Sequence, residues 1–265
     1  MKKILGIIIW TLAVILIIAG LFFTRKYHAE KPCTAVNINI NYEQEGYKTD
    51  VFLTYEDVRK FIHHRFDSLL GRPMGSIDIE ELETKTKEIP YVLKADAFKS
   101  INGEVTLNIK QRRAIVLIMD LDGTKYYIDE VGGIIPARPG YPADVLVCNG
   151  NIPAYKFYGK NNNPIYKDSI MSHSILGDIY ILAKIIDKDA FLRKEIVQLY
   201  ITRDNEFEMV PLVGRHKIIF GTVENSNAKF EKLTVFYHQA KNFNAWGKYK
   251  SINLKYKEQI VCTKK

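Results

Sequence analysis

"PYVLKADAFKSINGEVTLNIKQR", residues 90–112, consists of two runs that alternate apolar and polar side chains, with Asn102-Gly103 between them. Alternation of this kind puts successive side chains on opposite faces of a half-buried strand. An Asn-Gly dipeptide between two such runs is a strong hairpin signal, since the tight two-residue turn needs positive φ at both central positions. The stretch therefore predicts an antiparallel pair of strands, and the question becomes what that pair closes.

Upstream, "CTAVNINI" (33–40) alternates like a strand. Thr54 with Asp57 has the spacing of a capping box and opens a helix whose Val58, Phe61, Ile62, Phe66 and Leu69 share a face. Asp78 with Glu81 opens a second helix on which Ile79, Leu82 and Ile89 line up, with Pro90 as its stop. Residues 33–112 thus read as strand, helix, helix, strand, strand: a small α/β unit ending in the hairpin.

Residues 113–265 read as a β-rich unit of antiparallel strands with flanking helices, so the whole chain is of the α+β class. Asp122-Gly123 separates "AIVLIMDL" from "TKYYIDEVGGIIP" as a second hairpin, and "VLVCNG" follows. "YGKNNNPIYK", within 155–167, is an exposed loop rich in turn residues. Ile175, Leu176, Ile179, Leu182, Ala183 and Ile186 mark an amphipathic helix over 173–187, and Phe230, Leu233, Tyr237 and Ala240 mark another over 226–243. Between them "EIVQLYIT", "EFEMVPLV" and "HKIIFG" form a meander turned at Asp204-Asn205 and Gly214.

At the N-terminus, Lys2 and Lys3 precede an uncharged run from Ile4 to Phe23, with Arg25 and Lys26 beyond it. About twenty helical residues span the ~30 Å hydrocarbon core of a bilayer. The apolar run is longer than that of a signal peptide and no small-x-small cleavage site follows it, so 4–24 is expected to be an uncleaved span with a cytoplasmic tail of residues 1–3. Two lysines on so short a tail favour N-in, with the folded part outside the cytoplasmic membrane.

The net charge of +8 is spread along the chain, which suits a neighbour of an anionic membrane or wall polymer. No basic stripe with interleaved aromatics is present, which argues against nucleic acid. Cys33, Cys148 and Cys262 show no paired spacing, and Cys148 in "VLVCNG" and Cys262 in "QIVCT" read as small core residues. A sortase-type transpeptidase acting through Cys262 would need His and Arg groups to activate the thiol, and no downstream Arg follows it. His63-His64 point about 100° apart on a helix and have no i,i+4 partner for a metal. No nucleotide loop or nucleophile elbow is found, so no cofactor, metal or catalytic group is expected.

The order of these elements resembles the bacterial cell-division family FtsQ/DivIB, over nearly the whole chain. The hairpin resembles that family's POTRA hairpin, with Tyr91-Val92 entering it and Arg112 or Arg113 at its exit. "YYIDEVGGIIP" resembles the family's Asp three residues before a Gly, here Asp129 and Gly132, and "GKYKSINLKYKEQIVCTK" resembles its closing strand. Ala114-Ile115 stands where members often carry Pro, and the cytoplasmic tail is shorter than in many. The resemblance implies a POTRA-like domain over 33–112, a β domain over 113–265, and a non-enzymatic divisome scaffold. Such a scaffold would bind FtsB/FtsL (DivIC)-type coiled-coil proteins and, through them, help recruit and regulate the septal synthase pair FtsW and FtsI. POTRA-type units also occur in envelope assembly factors, which usually carry several such units or a membrane barrel.

The closing segment supplies a candidate site. Ile252, Leu254 and Tyr256 alternate with Asn253, Lys255 and Lys257, as expected of one terminal strand at a sheet edge. An open edge is either guarded, here by lysines, or used for strand addition by a partner. With the resemblance, Ile252, Leu254, Lys255, Tyr256, Lys257 and Ile260 become the expected partner-binding residues, with Tyr256 as anchor because aromatics dominate interfaces. Glu258 breaks the alternation and marks a bulge position.

Overall fold

Helix α1 (Lys2–Glu30) runs through the apolar stretch and continues six residues past Thr24 without a break. It is long and apolar enough to cross a membrane. The structure is a computed structural model and describes residues 2–44, 47–48, 50–154, 174–242 and 247–265; the loop expected at 155–167 lies outside them. The chain divides into two units, one of Met1–Tyr42 with Leu53–Gln111, the other of Glu43–Phe52 with Arg112–Lys265.

In the first unit, β1 (Ala35–Asn41) precedes α2 (Tyr55–Phe66) and α3 (Ile79–Thr86). Two short strands of the second unit, β2 (Glu43–Gln44) and β3 (Tyr47–Lys48), fall between β1 and α2 in the chain and pair with each other. The hairpin β4 (Val92–Lys99) and β5 (Glu104–Gln111) completes a sheet in the order β1-β5-β4, with β1 parallel to β5. The capping box at Thr54 is complete: its hydroxyl accepts the Asp57 N–H (3.2 Å) while Asp57 Oδ2 accepts the Thr54 N–H (2.9 Å). Val58 and Ile62 of α2 and Leu82 of α3 bury themselves against Val105, Leu107 and Ile109 of β5. Helix α3 stops at Thr86, four residues short of the expected Pro90. The Glu88 and Ile89 amides bond three residues back, to the Lys85 and Thr86 carbonyls, which tightens the chain out of the α-helix before the proline is reached.

In the second unit, nine strands among the described residues form one sheet: β6 (Ala114–Met119), β7 (Lys125–Asp129), β8 (Ile134–Pro136), β9 (Leu146–Gly150), β10 (Ile196–Ile201), β11 (Phe207–Pro211), β12 (Lys217–Gly221), β13 (Tyr249–Asn253) and β14 (Val261–Lys264). Their order is β14-β13-β12-β11-β10-β9-β6-β7-β8. "TKYYIDEVGGIIP" is therefore two strands, not one, turned at Gly132. The sheet is also less antiparallel than expected, since β6/β9, β9/β10 and β12/β13 are parallel. Parallel neighbours need long crossovers. Helices α4 (Ile175–Lys188) and α5 (Ala190–Glu195) lie between β9 and β10 in the chain, and α6 (Ser226–Asn242) lies between β12 and β13. Leu176, Ile179, Leu182, Phe230, Leu233 and Tyr237 of α4 and α6 share one core with Ile118, Cys148, Leu199, Met209, Ile218 and Ile252 of the sheet.

Two arginines at the start of β6 are held by acids. Arg112 Nη1 donates to Asp129 Oδ2 (2.5 Å), and Asp129 Oδ1 also accepts the Val131 and Gly133 amides (3.0 and 2.6 Å). Arg113 donates to Glu130 (2.9 Å) and, through both terminal nitrogens, to Asp187 at the end of α4 (2.9 and 2.7 Å).

Among the described residues one turn recurs four times. At Ser100–Glu104 the Ser100 N–H donates to the Glu104 carbonyl (2.8 Å) and the Gly103 N–H to the Ser100 carbonyl (3.1 Å). The same pair of bonds closes Asp120–Thr124, Asp129–Gly133 and Thr202–Glu206. The fourth residue of each has positive φ: Gly103 (92°), Gly123 (79°), Gly132 (84°) and Asn205 (57°). This is a type I turn ending in a left-handed residue, not the tight turn expected at Asn102-Gly103, where both residues would have positive φ. A Cβ on Gly103 would also stand 3.0 Å from the Pro32 carbonyl oxygen. Gly103→Ala is therefore expected to cost about 1–3 kcal/mol, and Asn102→Ala less than about 0.5 kcal/mol, in urea unfolding of the detergent-solubilised chain. Equal costs would rule this turn out.

Candidate partner-binding edge

The closing segment is a hairpin, not one strand. Strand β13 is interior: it runs parallel to β12, with Ile218 opposite Ile252, and antiparallel to β14, with Ser251 opposite Thr263. Its ladder ends where the Leu254 N–H donates to the Ile219 carbonyl (2.9 Å) and Asn253 Oδ1 turns back to accept the Lys255 N–H (3.0 Å). That side-chain bond competes with strand geometry and starts the connection to β14. The edge of the sheet is β14.

The six expected residues separate accordingly. Ile252 and Leu254 are fully buried in the core, and Ile260 is half-buried against it. Lys255 is exposed and bonds Glu206 (2.6 Å), and its stem lies so close to Gly221 that any side chain there would meet it. Tyr256 is 49% exposed, and its carbonyl and that of Lys257 accept from Lys232 Nζ (2.5 and 3.2 Å). The connection is thus held by its backbone while its side chains face solvent.

The direction of the free main-chain groups follows from the ladder. Leu254 bonds toward β12, so Ser251 and Asn253 bond toward β14, and Val261 and Thr263 bond back to them. The Lys265 N–H, donating to the Lys248 carbonyl (3.1 Å), keeps the same phase. Cys262 and Lys264 therefore present their N–H and C=O groups outward. These two positions were missed in the sequence because "QIVCT" reads as core, and Cys262 does pack its side chain against the core. Residues 247–265 carry six lysines and one acidic residue, so the edge is strongly basic. The opposite edge, β8, is three residues long and ends in Pro136, which cannot donate.

Beneath the edge lies a buried polar group of three. His216 Nε2 is 2.8 Å from the Tyr237 hydroxyl, and Glu195 stands near enough to Tyr237 to raise its pKa further, after burial. Burial raises the Glu195 carboxyl above its ordinary 4.5, partly countered by a bond from the Val213 amide. Burial lowers His216 below 6.5, and the charge of Lys265 lowers it further. Burial also raises the Cys262 thiol, which is the wrong direction for a nucleophilic thiolate. His63 and His64 are exposed, and among the described residues no group of three His, Cys, Asp or Glu side chains could hold a metal ion.

Comparison with known families supplies two matches. Residues 114–263 match the family described as FtsQ/DivIB, C-terminal related, and residues 31–110 match the POTRA-like domain. No curated protein matches the chain.

The buried group makes stability depend on pH in two opposed ways. A raised carboxyl such as Glu195 adds stability that is complete below pH 4.5 and is lost as pH rises through its higher folded value. A lowered imidazole such as His216 adds stability present above pH 6.5 and lost as pH falls toward its depressed value. Glu195→Gln removes only the first effect. Its urea midpoint relative to wild type is expected to climb as pH rises from 4.5, and a difference independent of pH would show that Glu195 titrates normally.

Proposed function

Because the chain belongs to the FtsQ/DivIB family of non-catalytic membrane components of the division machinery, we propose that it receives a small single-span partner of the FtsB/FtsL (DivIC) type by strand addition along β14. The observation that carries this reading is the pair of outward main-chain positions at Cys262 and Lys264. An added strand gains affinity from such groups and specificity from neighbouring side chains. Tyr256, Lys255 and Lys257 project from the connection beside that edge and are the side chains a partner would meet, with Tyr256 the aromatic anchor. Ile252, Leu254 and Ile260 act from within, by holding β13 and its connection on the core. The lysines favour a partner segment that carries acidic residues.

In this reading the N-terminus is cytoplasmic, α1 crosses the cytoplasmic membrane, and both folded units stand outside it at the septum. Docking on β14 then links the partner pair, and through it FtsW and FtsI, to the scaffold.

Lys264→Pro tests the mechanism. It removes one outward N–H from an exposed edge position and places a ring where an added strand would lie. Partner affinity is expected to fall by about tenfold or more, with the unfolding midpoint unchanged and Lys264→Ala near wild type. Photo-reactive residues at Tyr256 and Lys257 should capture a small single-span protein in cells. Unimpaired binding by the proline variant, together with no adduct from a functional protein, would make the edge merely guarded.

A further inference from the structure

The lower end of the first unit is built directly onto the exit of α1. Only four residues separate Glu30 from β1, and three of them are tied down by backbone hydrogen bonds. The Met74 N–H donates to the Lys31 carbonyl (2.8 Å), the Cys33 N–H to Arg72 (2.7 Å), the Gly71 N–H to Cys33 (2.8 Å) and the Thr34 N–H to Gly103 (2.8 Å). Lys31 Nζ also reaches the Ile101 carbonyl (3.4 Å). Gly75 packs so closely on Ala29, in the last helical turn, that an added Cβ would stand 3.0 Å from the Ala29 Cβ. Two loops, 67–73 and the hairpin tip 100–103, therefore end level with the helix exit.

If the apolar run to Phe23 fills the hydrocarbon core, the seven residues from Thr24 to Glu30 rise about 10 Å beyond it, a few ångströms past a headgroup layer about 5–8 Å deep, so side chains at that level reach the membrane surface. At this height the loops expose Ile101 (76%), Leu70 (56%) and, beside the tip, Phe98 (51%). In the chain, Arg25, Lys26, Lys31, Arg72 and Lys99 stand within a few residues of the helix exit or of these tips, against Glu30, Asp67 and Glu104. Tyr27 of α1, an interfacial residue type, lies under Lys31 Nζ at 5.2 Å from its ring centroid. Apolar tips with basic neighbours, held just above the headgroups, suit an anionic lipid surface.

We infer that Ile101 and Leu70 dock the first unit onto the surface of the bilayer that α1 crosses. Helix and tips together make a three-point mount, and the first unit is held upright on the membrane instead of swinging from a single tether.

The test uses the full chain in vesicles of equal parts phosphatidylcholine and phosphatidylglycerol. Cys262→Ser removes the one thiol that is not buried, and Ile101→Cys, Leu70→Cys or Glu56→Cys then carries a fluorescent label. Glu56, at the start of α2, belongs to the far end of the unit, where Leu53 meets Gln111. With nitroxide-bearing phospholipid added, labels at 101 and 70 are expected to lose half or more of their emission while that at 56 is nearly unchanged. All three positions are exposed, so the fold tolerates the labels, and an unaltered unfolding midpoint checks this. Quenching at 101 and 70 no greater than at 56 would overturn the proposal, including the case in which another protein covers the tips in cells.

Discussion

The double arginine at the start of β6 is the constraint on which the second unit is assembled. Arg112 and Arg113 are consecutive and point to opposite sides of the chain, so each must find its own acid. Asp129 meets Arg112 and at the same time caps the β7–β8 turn, while Glu130 and Asp187 share Arg113. Removing one partner from a buried pair of this kind costs about 3–5 kcal/mol, because the remaining charge is left in a low-dielectric site. The cluster thereby fixes three things together: where β6 begins, how tightly β7 turns into β8, and where the end of α4 sits against the sheet. Gly133 is part of the same arrangement, since a side chain there would run into the Arg112 and Asp129 heads.

From that corner the sheet grows outward by two crossovers. Helices α4 and α5 carry the chain from β9 to its parallel neighbour β10, and α6 carries it from β12 to β13. Each crossover lays an amphipathic helix on the sheet, so burial of Leu233 and Tyr237 and the placement of Ile252 are parts of one packing event. The edge strand β14 inherits its position from this interior strand. It contributes few core contacts of its own, and its outward face of amide and carbonyl groups is basic and is paired with no other strand among the described residues.

Local patterns carried much of this in the sequence. The capping residues Thr54 and Asp78, the helical periodicity of Ile179, Leu182 and Ile186, and the turn residues Gly103, Gly123 and Asn205 each act over a few positions and were legible. What escaped was non-local or competitive. Parallel pairing of β12 with β13 joins residues more than thirty apart and leaves no short-range mark. The closing segment misled because Ile252, Leu254 and Tyr256 keep perfect alternation, whereas Asn253 uses its side chain to bend the backbone after Leu254. Of the candidate site, then, the neighbourhood was readable and the edge was not: Tyr256 lies beside it, Leu254 beneath it, and the outward groups belong to Cys262 and Lys264. In "TKYYIDEVGGIIP" the signal was present in Gly132-Gly133 and was outweighed by the apolar residues on either side.

The crossover through α6 also orders events in time. Hairpins such as β4–β5 and β10–β11 close over a few residues and form early, whereas a parallel pair must first bring distant segments together. During synthesis the first unit emerges ahead of the second and can fold while the rest is still being made. Strand β13 finds its place only once α6 has been laid down, and β14 only after β13. The basic edge is consequently the last surface of the described sheet to come into being, and a segment that added to it would read out whether everything before it had been completed.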